Sequence, residues 1–180
     1  MSYKRWIIIA ILLFGIGLLL GLATPVSLFT EDVGAFSELA ELLAPLPQSA
    51  LFGVILINNA FALVISFVLS PIFCLVPILA LTVNGWLLTV VATEVIQEES
   101  VGFLLAGLLP HGIFEIPALI LGQAAALSFG AMVAVALFKK ERRNLLMPSF
   151  KQNMRYLMVA LVLLVPAAII ETYITPLLLS

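Results

Sequence analysis

The longest uncharged stretch of the sequence constrains the fold more than any other feature. It runs from Leu42 to Thr93, and its 52 residues include no Asp, Glu, Lys or Arg. As one helix it would be about 78 Å long, whereas the hydrocarbon core of a bilayer is about 30 Å thick. The stretch must therefore cross a membrane twice. Ser70-Pro71 is the expected turn, because a residue that precedes proline avoids the α conformation.

Other stretches of low charge extend this pattern along the chain, which is 63% apolar and only 10% charged. Soluble domains are about 45–50% apolar and about 25% charged. We predict an all-α fold, a polytopic transmembrane helical bundle that forms a single domain over residues 1–180. About twenty residues suffice for each crossing, and five spans are expected at residues 6–23, 49–69, 71–93, 113–138 and 156–175.

The apolar segment Val101–Leu109 lies between the third and fourth predicted spans. As a helix it would be about 14 Å long, which is too short to cross a bilayer. Pro110 and Gly112 follow it and are expected to end it. We predict a short interfacial or re-entrant helix over residues 101–109, with a full crossing as the alternative. His111 would then lie in a turn, before a helix that begins near residue 112.

Composition also excludes several classes of function. Eight basic residues against ten acidic ones leave no excess of positive charge for nucleic acid. The single cysteine, Cys74, excludes a disulfide framework and a cysteine-based zinc site. The sequence shows no nucleophile paired with a base and no phosphate-binding loop. We therefore expect a protein that is not an enzyme and needs no cofactor.

The basic residues predict the orientation in the membrane. Five spans place all eight on one face, which is the cytoplasmic face by the positive-inside rule. They are Lys4, Arg5, Lys139, Lys140, Arg142, Arg143, Lys151 and Arg155. We expect a cell-membrane protein with a cytoplasmic N-terminus and an extracytoplasmic C-terminus. A cleaved signal peptide is the alternative for the first span, although its apolar core is longer than usual.

The opposite face receives acidic residues. All seven acids of this face lie in the loop 24–48 or near the end of the third span. They are Glu31, Asp32, Glu38, Glu41, Glu94, Glu98 and Glu99. Apolar residues alternate with acids in this loop, so it is either a short amphipathic helix on the outer surface or a solvated connector. An acidic outer face favours contact with an extracytoplasmic partner protein.

A few polar residues remain at membrane depth, where a carboxylate costs about 2.5–3.5 kcal/mol on insertion scales. At 1.5 Å per residue, those of four spans lie in the same outer half of the bilayer. We predict that they form one polar cluster, whose candidates are His111, Glu115, Glu171, Asn58, Asn59 and Asn84, with Gln123 deeper in the fourth span. The cluster could lock the spans together or handle protons or cations. It could bind a metal through His111, Glu115 and Glu171 if these converge.

Small residues recur along two spans. Gly15, Gly17 and Gly21 lie on the first, and Gly122, Ala126 and Gly130 lie on the fourth at a spacing of four. Such spacing favours close helix contact in membranes. The sequence therefore also allows a homodimer.

The polar residues belong to short motifs. The run Pro110-His-Gly-Ile-Phe-Glu-Ile-Pro117, with its turn-forming Pro110, Gly112 and Pro117, closely resembles the signature of the stage II sporulation protein M family. Asn58-Asn59 and Asn84-Gly85 look like that family's paired asparagine and third-span Asn-Gly. Glu171-Thr-Tyr-Ile-Thr-Pro176 is similar to its closing element. The resemblance covers roughly residues 50–176.

This resemblance implies a membrane scaffold. The family's founding members anchor cell-wall hydrolases during spore engulfment, and similar proteins in non-sporulating organisms look in some cases like partners of transport ATPases. We therefore expect a non-enzymatic scaffold or anchor subunit of an envelope complex, in contact with the lipid bilayer and with a protein partner or transport ATPase. The alternative is a transporter or channel subunit with His111, Glu115 and Glu171 as a gated polar site. A third reading is an intramembrane metal-dependent enzyme.

Overall fold

A computed structural model describes residues 3–25 and 45–179, and all regular structure in these ranges is helical. Five helical runs are long and apolar enough to cross a membrane, so the predicted all-α fold and span count are confirmed. The main helices are α1 (Tyr3–Ala23), α2 (Gln48–Leu69), α3 (Leu75–Glu98), α4 (Val101–Phe138) and α5 (Leu146–Ile169). The 3₁₀ helix Lys140–Leu145 joins α4 to α5. The π turn Ile170–Ile174 and the short α6 (Thr175–Leu179) extend α5.

Residues 101–109 are helical, but they do not form the separate short helix that the sequence suggested. They are the first turns of α4, which continues through Pro110 and Pro117 as one helix of 38 residues. The prediction that Pro110 ends a helix was wrong, and His111 lies inside α4 rather than in a turn. Proline removes one hydrogen bond, whereas a break at Pro110 would leave the several carbonyl groups of the preceding turn unpaired. Continuing the helix therefore costs less.

The predicted turn after the second span is confirmed. Helix α2 ends at Leu69, and Phe73 and Cys74 adopt left-handed backbone conformations before α3 begins. Helix α4 crosses directly over this turn, where a Cβ atom on Gly130 would collide with the Ser70 carbonyl oxygen. The Cys74 thiol also donates to the Leu127 carbonyl oxygen of α4, at 3.5 Å. The turn is thus fixed to the central helix.

The long helix α4 is the centre of the bundle. It packs against α1, α3, α2 and α5, whereas α2 and α3 contact each other little. Its buried face consists largely of small residues, which are Ala118, Gly122, Ala124, Ala125, Ala126 and Gly130. Helices can approach such a face closely, which is the main source of helix association in a bilayer. The close contact predicted for Gly122 is confirmed, since a Cβ atom there would lie 2.9 Å from the Leu63 side chain.

Helices α1 and α3 pack backbone to backbone at two glycines. A Cβ atom on Gly17 would collide with the Thr82 carbonyl oxygen, and one on Gly85 with the Phe14 carbonyl oxygen. Gly21 also lies against α3, but Gly15 has open space around it. At the far end of the pair, the Trp86 indole donates to the Thr24 hydroxyl at 3.0 Å. The predicted amphipathic helix of loop 24–48 lies largely outside the described residues.

Candidate functional site

The continuous helix α4 brings His111 and Glu115 together. Residues four apart lie on one face of a helix, and the His111 Nε2 atom is 3.8 Å from Glu115 Oε2. The His111 side chain is 15% exposed and that of Glu115 is 34% exposed. Had the helix begun at residue 112, as the sequence suggested, this shared face would not exist.

Glu171 completes the cluster from the neighbouring helical run, which packs against α4. It lies in the π turn Ile170–Ile174, which extends α5. Such turns contain an additional residue and re-aim the side chains that they carry, and they are frequent at functional sites. One ligand atom from each of His111, Glu115 and Glu171 lies within 4.8 Å of the other two. We call these three residues the His-Glu-Glu cluster.

Helix α2 contributes Asn59 to the cluster. Its amide nitrogen donates to Glu115 Oε1 at 3.2 Å. The two carboxylate oxygens of Glu115 therefore face different partners, Asn59 on one side and His111 on the other. Asn58 is exposed, and within the described residues its amide hydrogen-bonds only to its neighbour, 3.5 Å from Asn59 Oδ1. Of the paired asparagines, only Asn59 contacts the cluster.

A small cavity adjoins the cluster between α2, α3 and α4. Its volume is about 60 Å³, which is room for roughly two water molecules. Four polar side chains from three helices line it, among apolar ones: Asn59, Asn84, Glu115 and Gln123. Asn84 thus shares a cavity with Glu115, while its amide nitrogen bonds to the Ala80 carbonyl oxygen at 2.7 Å.

Ser66 is a polar neighbour of this cavity that the sequence did not single out for this role. Its hydroxyl donates to Gln123 Oε1, and both side chains are buried. The spacing in the sequence could have identified Ser66, because it lies seven residues after Asn59 and therefore on the same face of α2. Thr172 and Thr175, which follow Glu171, were also missed. Within the described residues their buried hydroxyl oxygens have no hydrogen-bond partner, and the same holds for His111 Nδ1.

The signature residues Pro110, Gly112 and Pro117 do not form the predicted turn. All three lie within α4. A Cβ atom on Gly112 would make only ordinary contacts, 3.8 Å from the Ile116 side chain. The run therefore shapes a helix face rather than a loop, and this face presents His111 and Glu115.

An imidazole and two carboxylates at this separation can share a proton or bind a divalent cation. A cluster of this kind inside a five-span bundle defines a polytopic membrane protein with a polar site between its helices. The sequence profile of the stage II sporulation protein M family matches residues 7–176, and the chain belongs to that family.

One similar protein is uncharacterised. It comes from Methanocaldococcus jannaschii and is 31% identical over 126 residues, which are 69% of this chain and 71% of the relative. No solved structure matches the chain. Family membership therefore establishes the kind of membrane protein and leaves its activity to be inferred from the site.

Proposed function

We propose that the protein is a non-enzymatic scaffold or anchor subunit of a larger envelope complex, with its N-terminus in the cytoplasm. The observation that carries this proposal is the exposure of two amides within the spans, those of Asn58 and of Asn84, the second of which also borders the cavity beside Glu115. Both hydrogen-bond only within their own helix in the described part of the chain. The name of the family, stage II sporulation protein M, agrees with a membrane component of a larger complex.

An amide that faces hydrocarbon without a full set of partners is unfavourable. Transfer of such a group from water to an apolar medium costs about 2–7 kcal/mol, and membrane helices commonly satisfy it through a neighbouring helix. Asn58 lies about 14 Å along α2 from Ser49, well within the bilayer. Helices α2 and α3 also contact each other little. A partner's transmembrane helix that packs beside them would satisfy both amides.

Photo-crosslinking in native membranes tests the scaffold proposal. We expect a photoreactive residue at position 58 or 84 to capture a different membrane protein. Matched positions on other faces of the same helices, Val64 on α2 and Leu79 on α3, are also exposed, and there we expect capture of lipid. Lipid adducts alone at all four positions would contradict the proposal, and adducts with a second copy alone would replace it with a homodimer.

A second function is favoured by the cavity beside Glu115. Polar cavities and ionisable residues within spans commonly mark ion pathways. Here four polar side chains line the cavity, and His111 Nδ1 in the adjoining cluster has no hydrogen-bond partner within the described residues. The His-Glu-Glu cluster would then be the gated site of a transporter or channel subunit for protons or cations.

Flux through proteoliposomes tests this second function. A trapped pH dye reports protons, and a trapped chelating dye reports divalent cations. We expect Glu115→Gln to reduce flux to the level of protein-free vesicles, because the amide cannot carry the charge. Glu141→Gln makes the same chemical change in the 3₁₀ helix and should leave flux intact. A wild-type protein that gives no flux above empty vesicles would exclude transport by the isolated chain.

A further inference from the structure

A cleft of about 440 Å³ opens at the end of the bundle that carries the basic residues. Several elements build it, so it is a space between helices. Helix α1 contributes Trp6, α4 contributes its stretch from Ser128 to Val135, and the start of α5 contributes Ser149 and Gln152. Arg142 of the 3₁₀ helix also lines it, as does Lys139, the residue before this helix. We call this space the Trp6 cleft.

The polar side of the Trp6 cleft suits an anion. Lys139 and Arg142 supply two positive charges, and no acidic residue is among its described lining residues. Hydroxyl and amide donors of Ser128, Ser149 and Gln152 also line it. The neighbouring Arg143 forms a hydrogen bond to the backbone instead. Its Nε donates to the Ala136 carbonyl oxygen at 3.3 Å, near the end of α4.

The other side of the cleft is apolar, with Ala131, Met132, Val135 and Leu145 among its lining residues. Trp6 belongs to the type of residue that settles at the membrane interface. A second cleft between the same two helices begins at the next residue of α1 and has a volume of about 370 Å³. Its lining residues in the described part of the chain are all apolar: Ile7, Ile11, Ile116, Pro117, Ile120 and Leu121. A charged cleft thus lies beside an apolar groove on the α1–α4 pair.

We propose that the Trp6 cleft binds the headgroup of an anionic phospholipid, with an acyl chain in the apolar groove. Arg142 and Lys139 pair with the phosphate diester, since basic pockets between transmembrane helices bind anionic headgroups. A free phosphate ion would use the charges but not the apolar groove, so the pairing of the two spaces selects a lipid. This site is independent of the proposed scaffold function.

A comparison within the molecule supports the choice of this cleft. Another basic depression, of about 510 Å³, carries Lys151 and Arg155. All its described lining residues come from α5, between Pro148 and Val159. This part of its lining is the surface of one helix, where a lipid would exchange freely. The Trp6 cleft is enclosed by several elements and can hold one lipid in place.

Native mass spectrometry of the detergent-purified protein tests the lipid site. We expect one molecule of added dioleoyl phosphatidylglycerol to be retained in preference to dioleoyl phosphatidylcholine. Lys139→Gln with Arg142→Gln should weaken retention about thirtyfold, since each interfacial basic residue contributes about 1 kcal/mol. The matched control, Lys4→Gln with Lys140→Gln, removes the same charge from residues that do not line the cleft and should keep the lipid.

A further variant distinguishes lipid binding in the Trp6 cleft from general electrostatic attraction of anionic lipid to the basic residues. Met132 lines the Trp6 cleft, and Met132→Trp fills it without altering any charge. We expect this variant to lose the lipid while it elutes as wild type on gel filtration. Equal retention of the two lipids, equal losses in both double variants, or displacement of the lipid by inorganic phosphate at equal concentration would each overturn the proposal.

Discussion

Replacement of Gly85 by leucine is expected to separate α1 from α3 and to lower the free energy of unfolding by about 3 kcal/mol or more, at or beyond the upper end of the usual cost of overpacking. The atoms that leave no room for a side chain at Gly85 belong to the backbone of α1. A Cβ atom on Gly85 would collide with the Phe14 carbonyl oxygen, and one on Gly17 with the Thr82 carbonyl oxygen. A side chain could rotate away, but two helix backbones can yield only by moving apart. Gly17→Leu should therefore have a similar effect.

Gly15→Leu is the matched control for this pair. It lies two residues from Gly17 in the same helix and has no atom within 4 Å of the position its Cβ would take. Leucine there adds an apolar side chain towards lipid and should leave stability close to wild type. Unfolding by SDS in mixed micelles, followed by circular dichroism, measures all three variants. Equal destabilisation by Gly15→Leu and Gly85→Leu would show that the close packing of α1 on α3 does not govern the effect.

The span count could be predicted because lipid penalises charge so strongly. The stretch from Leu42 to Thr93 had to cross twice, and Ser70-Pro71 marked the fold-back correctly. The continuity of α4 could not be predicted in the same way. Rules for proline come largely from helices in water, where a broken end can be hydrated, whereas in membrane proteins neighbouring helices can satisfy the backbone around a proline within a continuous helix. Pro110 therefore suggested an end that the structure does not contain.

The members of the candidate site were predictable, but their pairing was only partly so. Glu115 and Glu171 stood out because each is a lone acid in an otherwise uncharged span. Asn58 and Asn59 looked equivalent, yet neighbouring residues point about 100° apart on a helix and only one can face the bundle. The seven-residue spacing from Asn59 to the buried Ser66 identifies which one does. The contact between His111 and Glu115 depends on the continuity of α4. Because the sequence did not predict that continuity, it did not predict this contact.

Glu115→Gln and Glu171→Gln are expected to act non-additively on the free energy of unfolding. One ligand atom from each carboxylate lies within 4.8 Å of the other and of a His111 nitrogen, so the first change alters the surroundings of the second. Groups in one polar network show coupling energies of about 0.5–3 kcal/mol. Each single change should itself cost about 1–3 kcal/mol, because it disturbs a hydrogen-bonded or charged partner. The same SDS titration, applied to the four members of the cycle, gives the coupling.

A second cycle distinguishes direct contact from a general effect of removing charge. Glu94 lies near the end of α3, is not part of the His-Glu-Glu cluster, and offers the same acid-to-amide change. Glu94→Gln combined with Glu171→Gln should be additive within about 0.5 kcal/mol, as is usual for separate sites. Additivity in both cycles would mean that Glu115 and Glu171 do not act together, and the cluster could then not serve as one site. Coupling in the first cycle alone is the result expected if α4 and the π turn hold these acids against His111.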